Sequence, residues 1–405
     1  MINRISTAGQ HSAAIAQILK QQAGLSKTQV QVASGKRIQT PADDPIATTR
    51  ILGMERQKAQ LEQFGTNASS LSARLGVGEQ ALTDLGNLLQ TVRDLAIQAN
   101  SGALDSVSLK SIATELRSRA QELVDLSNRR DANGEFLFSG FSTQLQPFSR
   151  SSAGVSYAGD QGVRMLQISD NQKLGDGFPG DQVFMAVPEG NGTFSVATGV
   201  HTGTGIVDPG QVVDPSAWVP GNYTIEFTAP DTWRVLDDLG NPLLDGGGNP
   251  VTGTYVDGGV VAFNGIQVQV KGAPAAGDTF TIAPAGVKSL FQAVDDLVGA
   301  LSGGADTPQT RALLGSSINQ ALQQLDQGLT HVTDLRAEVG ARMSAIDNAE
   351  QTRSDLSFQL DGSISGLRDL DYAEAISRMN QQLTGLQAAQ AAYTRIGQLS
   401  LFNYL

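Results

Sequence analysis

FGTNASSLSARLGVGEQALTDLGNLLQTVRDLAIQA, residues 64–99, decides the fold. Phe64, Ala68, Leu71, Leu75, Gly78, Leu82, Leu85, Leu89, Val92, Ala96 and Ala99 recur at alternating steps of four and three. That spacing keeps one apolar stripe on one side of a helix, the heptad seam of a coiled coil. Upstream, Asp44 offers an N-cap and Pro45 suits the first helical position. Downstream, Asn100-Ser101-Gly102 stops the helix. Unbroken from Pro45 to Ala99, it would be about 80 Å long. A stripe of this length needs a partner to cover it.

The C-terminal half offers one. Thr307-Pro308 is a second cap and first-turn signal, and Ile318, Leu322, Leu325, Leu329, Val332, Val339, Met343 and Ile346 form a second seam, interrupted by Arg336. DGSISGLRDLD, residues 361–371, predicts a break before a last helix that carries Tyr372, Ile376, Met379, Leu383, Leu386, Tyr393 and Ile396. Nearer the N-terminus, Leu109, Ile112, Ala113, Leu116, Ala120, Leu123 and Val124 share one face of another helix, which ends at the turn-rich SNRRDANGEF. The first forty residues have a weaker seam, Ile15, Ile18, Leu25 and Val32, with Gln22 and Gln29 at intervening positions. A seam that is one-third polar does not hold an isolated helix. Its natural partner is the other chain end, either as a simple intramolecular pair or as a pair that orders only within an assembly. On the second reading, residues 1–40 and 371–405 are mobile in the monomer.

Between the helical flanks the composition changes. Residues 141–285 hold 23 of the 45 glycines and 11 of the 14 prolines, with Trp218 and Trp233, so turns dominate there. Val260, Val261, Phe263, Ile266, Val268, Val270, Phe280 and Ile282 are its expected core positions. The predicted architecture is mainly α: a long antiparallel helical bundle or coiled-coil rod from both termini, with an inserted β domain. It divides into terminal segments 1–43 and 363–405, rod halves 44–140 and 286–362, and a β-rich outer domain 141–285.

Composition restricts function. The net charge is −12, from 28 basic and 40 acidic side chains, which disfavours nucleic acid and anionic membranes. With no cysteine, thiol catalysis, thiolate metal sites and disulfides are excluded. No run approaches the roughly 18 apolar residues of a membrane span, and the N-terminus does not read as a secretory signal. His11, His201 and His331 are isolated from one another in sequence. Asp237, Asp238, Asn241, Asp245 and Asn249 carry oxygens that a calcium ion would accept, but they lack EF-hand spacing, and the same residue types build hairpin turns. Asp43 and Asp44 are explained by capping and the helix dipole. Gly246 to Gly248 lack the Lys-Ser or Lys-Thr of a phosphate loop. These residues give no catalytic set, cofactor site or metal centre, and the reading is of a non-enzyme.

Three motifs carry a family resemblance. ASGKRIQTPADDPIATTRI, residues 33–51, resembles the N-terminal signature of bacterial flagellins and their relatives. ANGEFLFSGF, residues 132–141, and DYAEAISRMNQQLTGLQAAQAAYTRIGQLSLFNYL, residues 371–405, are similar to the hook–filament junction members of that family. The resemblance covers both flanks, roughly 1–141 and 286–405. It implies a secreted structural subunit of the bacterial flagellum, sent through type III export after being held by an export chaperone. It also implies a ring of like subunits at the hook–filament junction, with hook-associated protein 1 on one side and flagellin on the other. The termini would self-assemble as coiled coils through Ile15, Ile18, Leu25, Val32, Ile376, Met379, Leu383, Leu386, Tyr393, Ile396, Leu399, Leu401, Phe402 and Leu405. Two alternatives remain open: a filament-forming flagellin, or an adhesive or glycan-binding β module on a helical stalk.

Overall fold

The computed structural model describes residues 7–398 apart from residue 103. Among the described residues there are six α-helices, three before and three after the strands in chain order: α1 (Thr7–Ser34), α2 (Pro45–Ala99), α3 (Ser106–Ser127), α4 (Leu290–Ser302), α5 (Pro308–Arg368) and α6 (Tyr372–Gln398). The chain forms two compact units, one of residues 1–66 and 348–405, the other of residues 67–347. The long helices α2 and α5 contribute to both.

The limits of α2 follow from its end groups. The Ala47 amide donates to Asp44 Oδ1 at 2.9 Å, filling one of the four donors that a helix start leaves free. Asp43 does something other than capping. Its carboxylate accepts the amides of Gln39 (3.0 Å) and Thr40 (2.9 Å) and pairs with Lys27 Nζ at 2.5 Å. The Lys27 bond, then the two amides, hold its carboxyl far below the ordinary range. In α3, Asp105 caps through the Ser108 amide at 2.8 Å, and Leu109, Ile112, Ala113, Leu116, Ala120, Leu123 and Val124 are all buried. The sequence reading did not resolve α4, although Ser289 caps it and seven of its residues are buried.

The expected break at residues 361–371 is shorter than predicted. Gly362 and Gly366 lie inside α5, which runs to Arg368, because Ile364 is buried against Ile38, Ala47 and Ile51. The burial of Ile364 outweighs the cost of about 1 kcal/mol for each helical glycine. The turn itself is Asp369–Asp371, and Asp371 Oδ1 then caps α6 through the amides of Ala373 (2.9 Å) and Glu374 (3.1 Å).

The inserted region has two parts. In the first, strands β1 (Phe148–Ser151) and β2 (Gly154–Tyr157) pair, as do β3 (Met165–Ser169) and β4 (Gln172–Gly175). The Phe184 ring meets those of Phe138, Phe148 and Phe291 at centroid distances of 5.1, 5.2 and 5.7 Å, which joins this part to α4. After the short β5 (Val187–Pro188) comes a sandwich. One sheet orders β11 (Thr252–Thr254), β10 (Thr232–Leu236), β9 (Tyr223–Ala229), β14 (Thr279–Pro284) and β6 (Phe194–Thr198). The other orders β12 (Val260–Phe263), β13 (Ile266–Lys271) and β7 (Ile206–Val207), with β8 (Gln211–Val212) also on β13; β15 (Val287–Lys288) returns to β5.

Val261, Phe263, Ile266, Val268, Val270, Phe280 and Ile282 are buried together in the sandwich. Val260 departs from the expected core and is 48% exposed. In the register Val261 faces Val268 while Val260 faces Gln269, so the side-chain period of two puts Val260 on the outer face. Trp218 and Trp233 are partly buried against the same core.

Asp278 pins the mouth of the sandwich. Fully buried, it accepts the Thr202 amide (2.6 Å) and hydroxyl (2.9 Å) and the amides of Gly203 (3.1 Å) and Ala275 (2.8 Å). Burial alone would raise its pKa, but these donors together hold it below the ordinary carboxylate range. A depressed pKa gives stability above the unfolded-state value of about 3.9 that is lost as pH falls through the folded value. Asp278→Ala is therefore expected to cost the unit about 2–3 kcal/mol at pH 7 and less near pH 3. Thermal melts at both pH values check this, and an equal loss at both would show that the charge is not what matters.

Candidate assembly interface

The two chain ends meet in the smaller unit. Helices α1 and α6 lie antiparallel: the His11 and Tyr393 rings are 5.6 Å apart, Thr28 Oγ1 donates to Gln382 Oε1 at 2.8 Å, and Leu370 N donates to Gly35 O at 2.9 Å. Gly35 closes α1 in a left-handed conformation (φ +70°), where a methyl would also lie 2.8 Å from the Tyr372 hydroxyl. Both reasons require glycine. Arg37 adds bonds across the turn, from its own amide to Arg368 O and from Nη2 to Leu367 O, each 2.7 Å.

The contact register differs from the one drawn by following bulky apolar residues. On α1, Leu25, Thr28 and Gln31 are buried, with Ala14, Ile18, Gln21 and Val32 half-buried. Ile15, Gln22 and Gln29 are exposed. On α6, Ala375 is buried and Met379, Gln382, Leu386, Ala389 and Tyr393 are half-buried, a four–three pattern displaced by one position from Ile376 and Leu383. Ile376 and Leu383 are 44% and 42% exposed, as is about half of Tyr372. The pair thus closes on Leu25, Thr28, Gln31 and Ala375, with Ile18, Val32, Met379 and Leu386 half-buried beside them, and turns other large apolar side chains outward, Leu19 and Val30 among them. Ile396 belongs to α6, but its side chain lies outside the described residues, as do Leu399, Leu401, Phe402 and Leu405.

The long seams behave differently. Phe64, Leu71, Leu75, Leu82, Leu85, Leu89 and Val92 are all buried. On α5, Ile318, Leu325, Val332, Val339 and Ile346 are buried, while Leu322, Leu329 and Met343 are half-buried. The intervening places go to Ala321, Gly328 and Leu335, which are buried. Arg336 therefore does not interrupt the seam. It lies beside it and pairs with Glu79 at 2.8 Å.

Two features escaped the sequence reading. Phe358, on α5, is 84% exposed. Its signal was a lone aromatic off the heptad stripe, in RSDLSFQLDG. The other is an ion cluster beneath the ANGEFLFSGF segment. Arg74 on α2 reaches Asp131 (2.5 Å), Glu135 (3.2 Å) and Asp176 (3.2 Å), and Arg164 reaches Glu135 (3.0 Å) and Asp176 (2.8 Å).

Asp237 and Asp245 each spend one oxygen on turn amides: Leu239 (3.0 Å) and Asn241 (2.8 Å) for the first, Gly247 (2.9 Å) and Asn249 (2.8 Å) for the second. Among the described residues no three His, Asp or Glu side chains gather as metal ligands, and no helix is long and apolar enough to cross a membrane.

Long helices from both chain ends, with a β domain inserted between them in the sequence, are the features of the flagellin class of axial subunits. The bacterial flagellin N-terminal helical region matches residues 5–143, and the bacterial flagellin C-terminal helical region matches residues 322–405. Flagellar hook-associated protein 3 of Escherichia coli K12 is 22% identical over 401 residues, 99% of each chain. The crystal structure of Xanthomonas campestris FlgL is 34% identical, with a TM-score of 0.67 over 74% of this chain and 98% of that one. That of hook-associated protein 3 from Legionella pneumophila is 30% identical, with a TM-score of 0.73 over 78% and 98%. The chain belongs to the bacterial flagellin family and, within it, to the flagellar hook-associated protein 3 branch. It is a structural component of the flagellum and not an enzyme.

Proposed function

We propose that the chain forms a ring of like subunits that seats on hook-associated protein 1 and presents flagellin with its first layer to build on. The carrying observation is the outward placement of Ile15, Leu19, Ile376 and Leu383 on helices whose mutual contact uses other residues. Apolar side chains left at helical spacing on a surface suit further helices. Before export a chaperone would cover the same stripe. The test is a strain lacking the gene. Hooks without filaments and flagellin shed into the medium are expected, with rescue by the full chain. Long filaments formed by the purified chain alone would instead favour a filament-forming flagellin.

Charge sets the conditions for assembly. Residues 1–66 and 348–405 carry 12 basic and 10 acidic side chains, and residues 67–347 carry 16 and 30. Copies crowded into a ring therefore repel through their larger units while their terminal units are close to neutral. Raising salt from about 0.1 M to about 1 M shortens the screening length from about 10 Å to about 3 Å and is expected to strengthen self-association. Sedimentation velocity measures it. Weaker association at high salt would mean that ion pairs, not apolar contacts, hold the ring.

A further inference from the structure

Helices α2 and α5 contain ten glycines, and their environments separate into two kinds. A methyl on Gly328 would come within 2.7 Å of Leu290 Cδ2 and one on Gly65 within 2.8 Å of the Arg353 guanidinium, and Gly86 and Gly315 also have neighbours in reach. These glycines have something packed against them. Gly53, Gly76 and Gly78 on α2, and Gly340, Gly362 and Gly366 on α5, have nothing within 4 Å. Helix packing gives no reason for them, yet each weakens its helix relative to alanine.

Their positions are matched across the antiparallel pair. In the larger unit Glu79 pairs with Arg336, which puts Gly76 and Gly78 at the level of Gly340. Gly78 and Val339 also line one small cavity of about 20 Å³ with Leu75, Leu82, Leu137 and Phe178. In the smaller unit Glu55 pairs with Arg368 and Lys58 with Asp361, which puts Gly53 at the level of Gly366, with Gly362 a turn away along α5. Every packing-free glycine of α2 thus has a packing-free counterpart across the pair. A single soft helix would be splinted by a stiff neighbour. Softening both at one level removes the splint.

We propose that the α2–α5 pair is built to bend at the level of Gly76, Gly78 and Gly340, with a second such level at Gly53 and Gly366. A helix bends when carbonyls on one side tilt outward and their hydrogen bonds lengthen, and glycine permits this without a side chain to displace. The pair flexes there while the leucine seam on either side stays packed. The inference stands on the helix pair alone and does not depend on the junction reading.

The test uses the full purified chain and amide hydrogen exchange. Amides of residues 76–82 and 338–344 are expected to exchange about 5- to 30-fold faster than those of 85–92 and 325–332. In the triple variant Gly76→Ala, Gly78→Ala, Gly340→Ala that gap is expected to close and Tm to rise by about 4–8 °C. Gly328→Ala, where Leu290 stands in the way, is expected to lower Tm and shows that the assay tells the two kinds of glycine apart. Uniform exchange in the parent overturns the proposal. So does a triple variant that melts lower, or one whose gap persists.

Discussion

Replacing Arg74 by alanine is expected to destabilise the larger unit by about 3–5 kcal/mol, the usual cost of removing one partner from a buried ion cluster. Arg74 is 11% exposed, and the Asp131 and Asp176 carboxylates are 6% and 9% exposed. Without the guanidinium, Glu135 and Asp176 keep only Arg164, Asp131 loses its ion pair, and the Phe136 carbonyl loses the Nη2 donor 3.3 Å away. Lysine is not expected to rescue. One ammonium cannot reach Asp131, Asp176 and Phe136 O in the planar fork that arginine provides. Asp131 also folds its own loop, accepting the amides of Asn133 (2.8 Å) and Glu135 (3.0 Å). Loss of Arg74 is therefore expected to loosen residues 131–141 first, visible as faster amide exchange there. Denaturant unfolding measures the rest: a loss below about 1 kcal/mol would show that the cluster is no stronger than an exposed pair.

This cluster also shows how far the sequence could be read. The motif ANGEFLFSGF was recognisable as a string, but its anchor, Arg74, lies 57 residues before Asp131. No local spacing reports a contact of that range. What local rules govern was legible: Asp44-Pro45 and Thr307-Pro308 open α2 and α5, and the four–three steps of residues 64–99 mark a buried stripe. Reading failed where two adjacent registers both looked apolar. On α5 the step from Ile318 could go to Ala321 or to Leu322, and the bulkier residue was the wrong guide, because Gly328 lets Leu290 of α4 approach. The same habit drew the α1–α6 contact through Ile15, Ile376 and Leu383, which are exposed in the single chain. A side chain's hydrophobicity alone does not say that its own chain buries it.

That distinction makes the last prediction the most direct. A copy carrying Ile376→Ser and Leu383→Ser is expected to fold as the parent does and to fail in filament attachment. Both side chains are more than two-fifths exposed in the single chain, so folding loses little apolar burial. Both positions lie within α6, between its Asp371 cap and the Tyr393 contact with His11, and neither makes that contact. Serine lowers helix propensity by only a few tenths of a kcal/mol per site. In a ring each subunit would lose two apolar anchors, about 1.5–3 kcal/mol each when fully buried, and the loss repeats around the ring. Circular dichroism should match the parent within error while electron microscopy finds bare hooks. A control that changes the inward position Ala375→Leu should do the reverse, crowding the α1–α6 contact where Ala375 is 1% exposed and lowering Tm. If the double serine variant supports filaments normally, the outward stripe is not the surface on which the subunits meet.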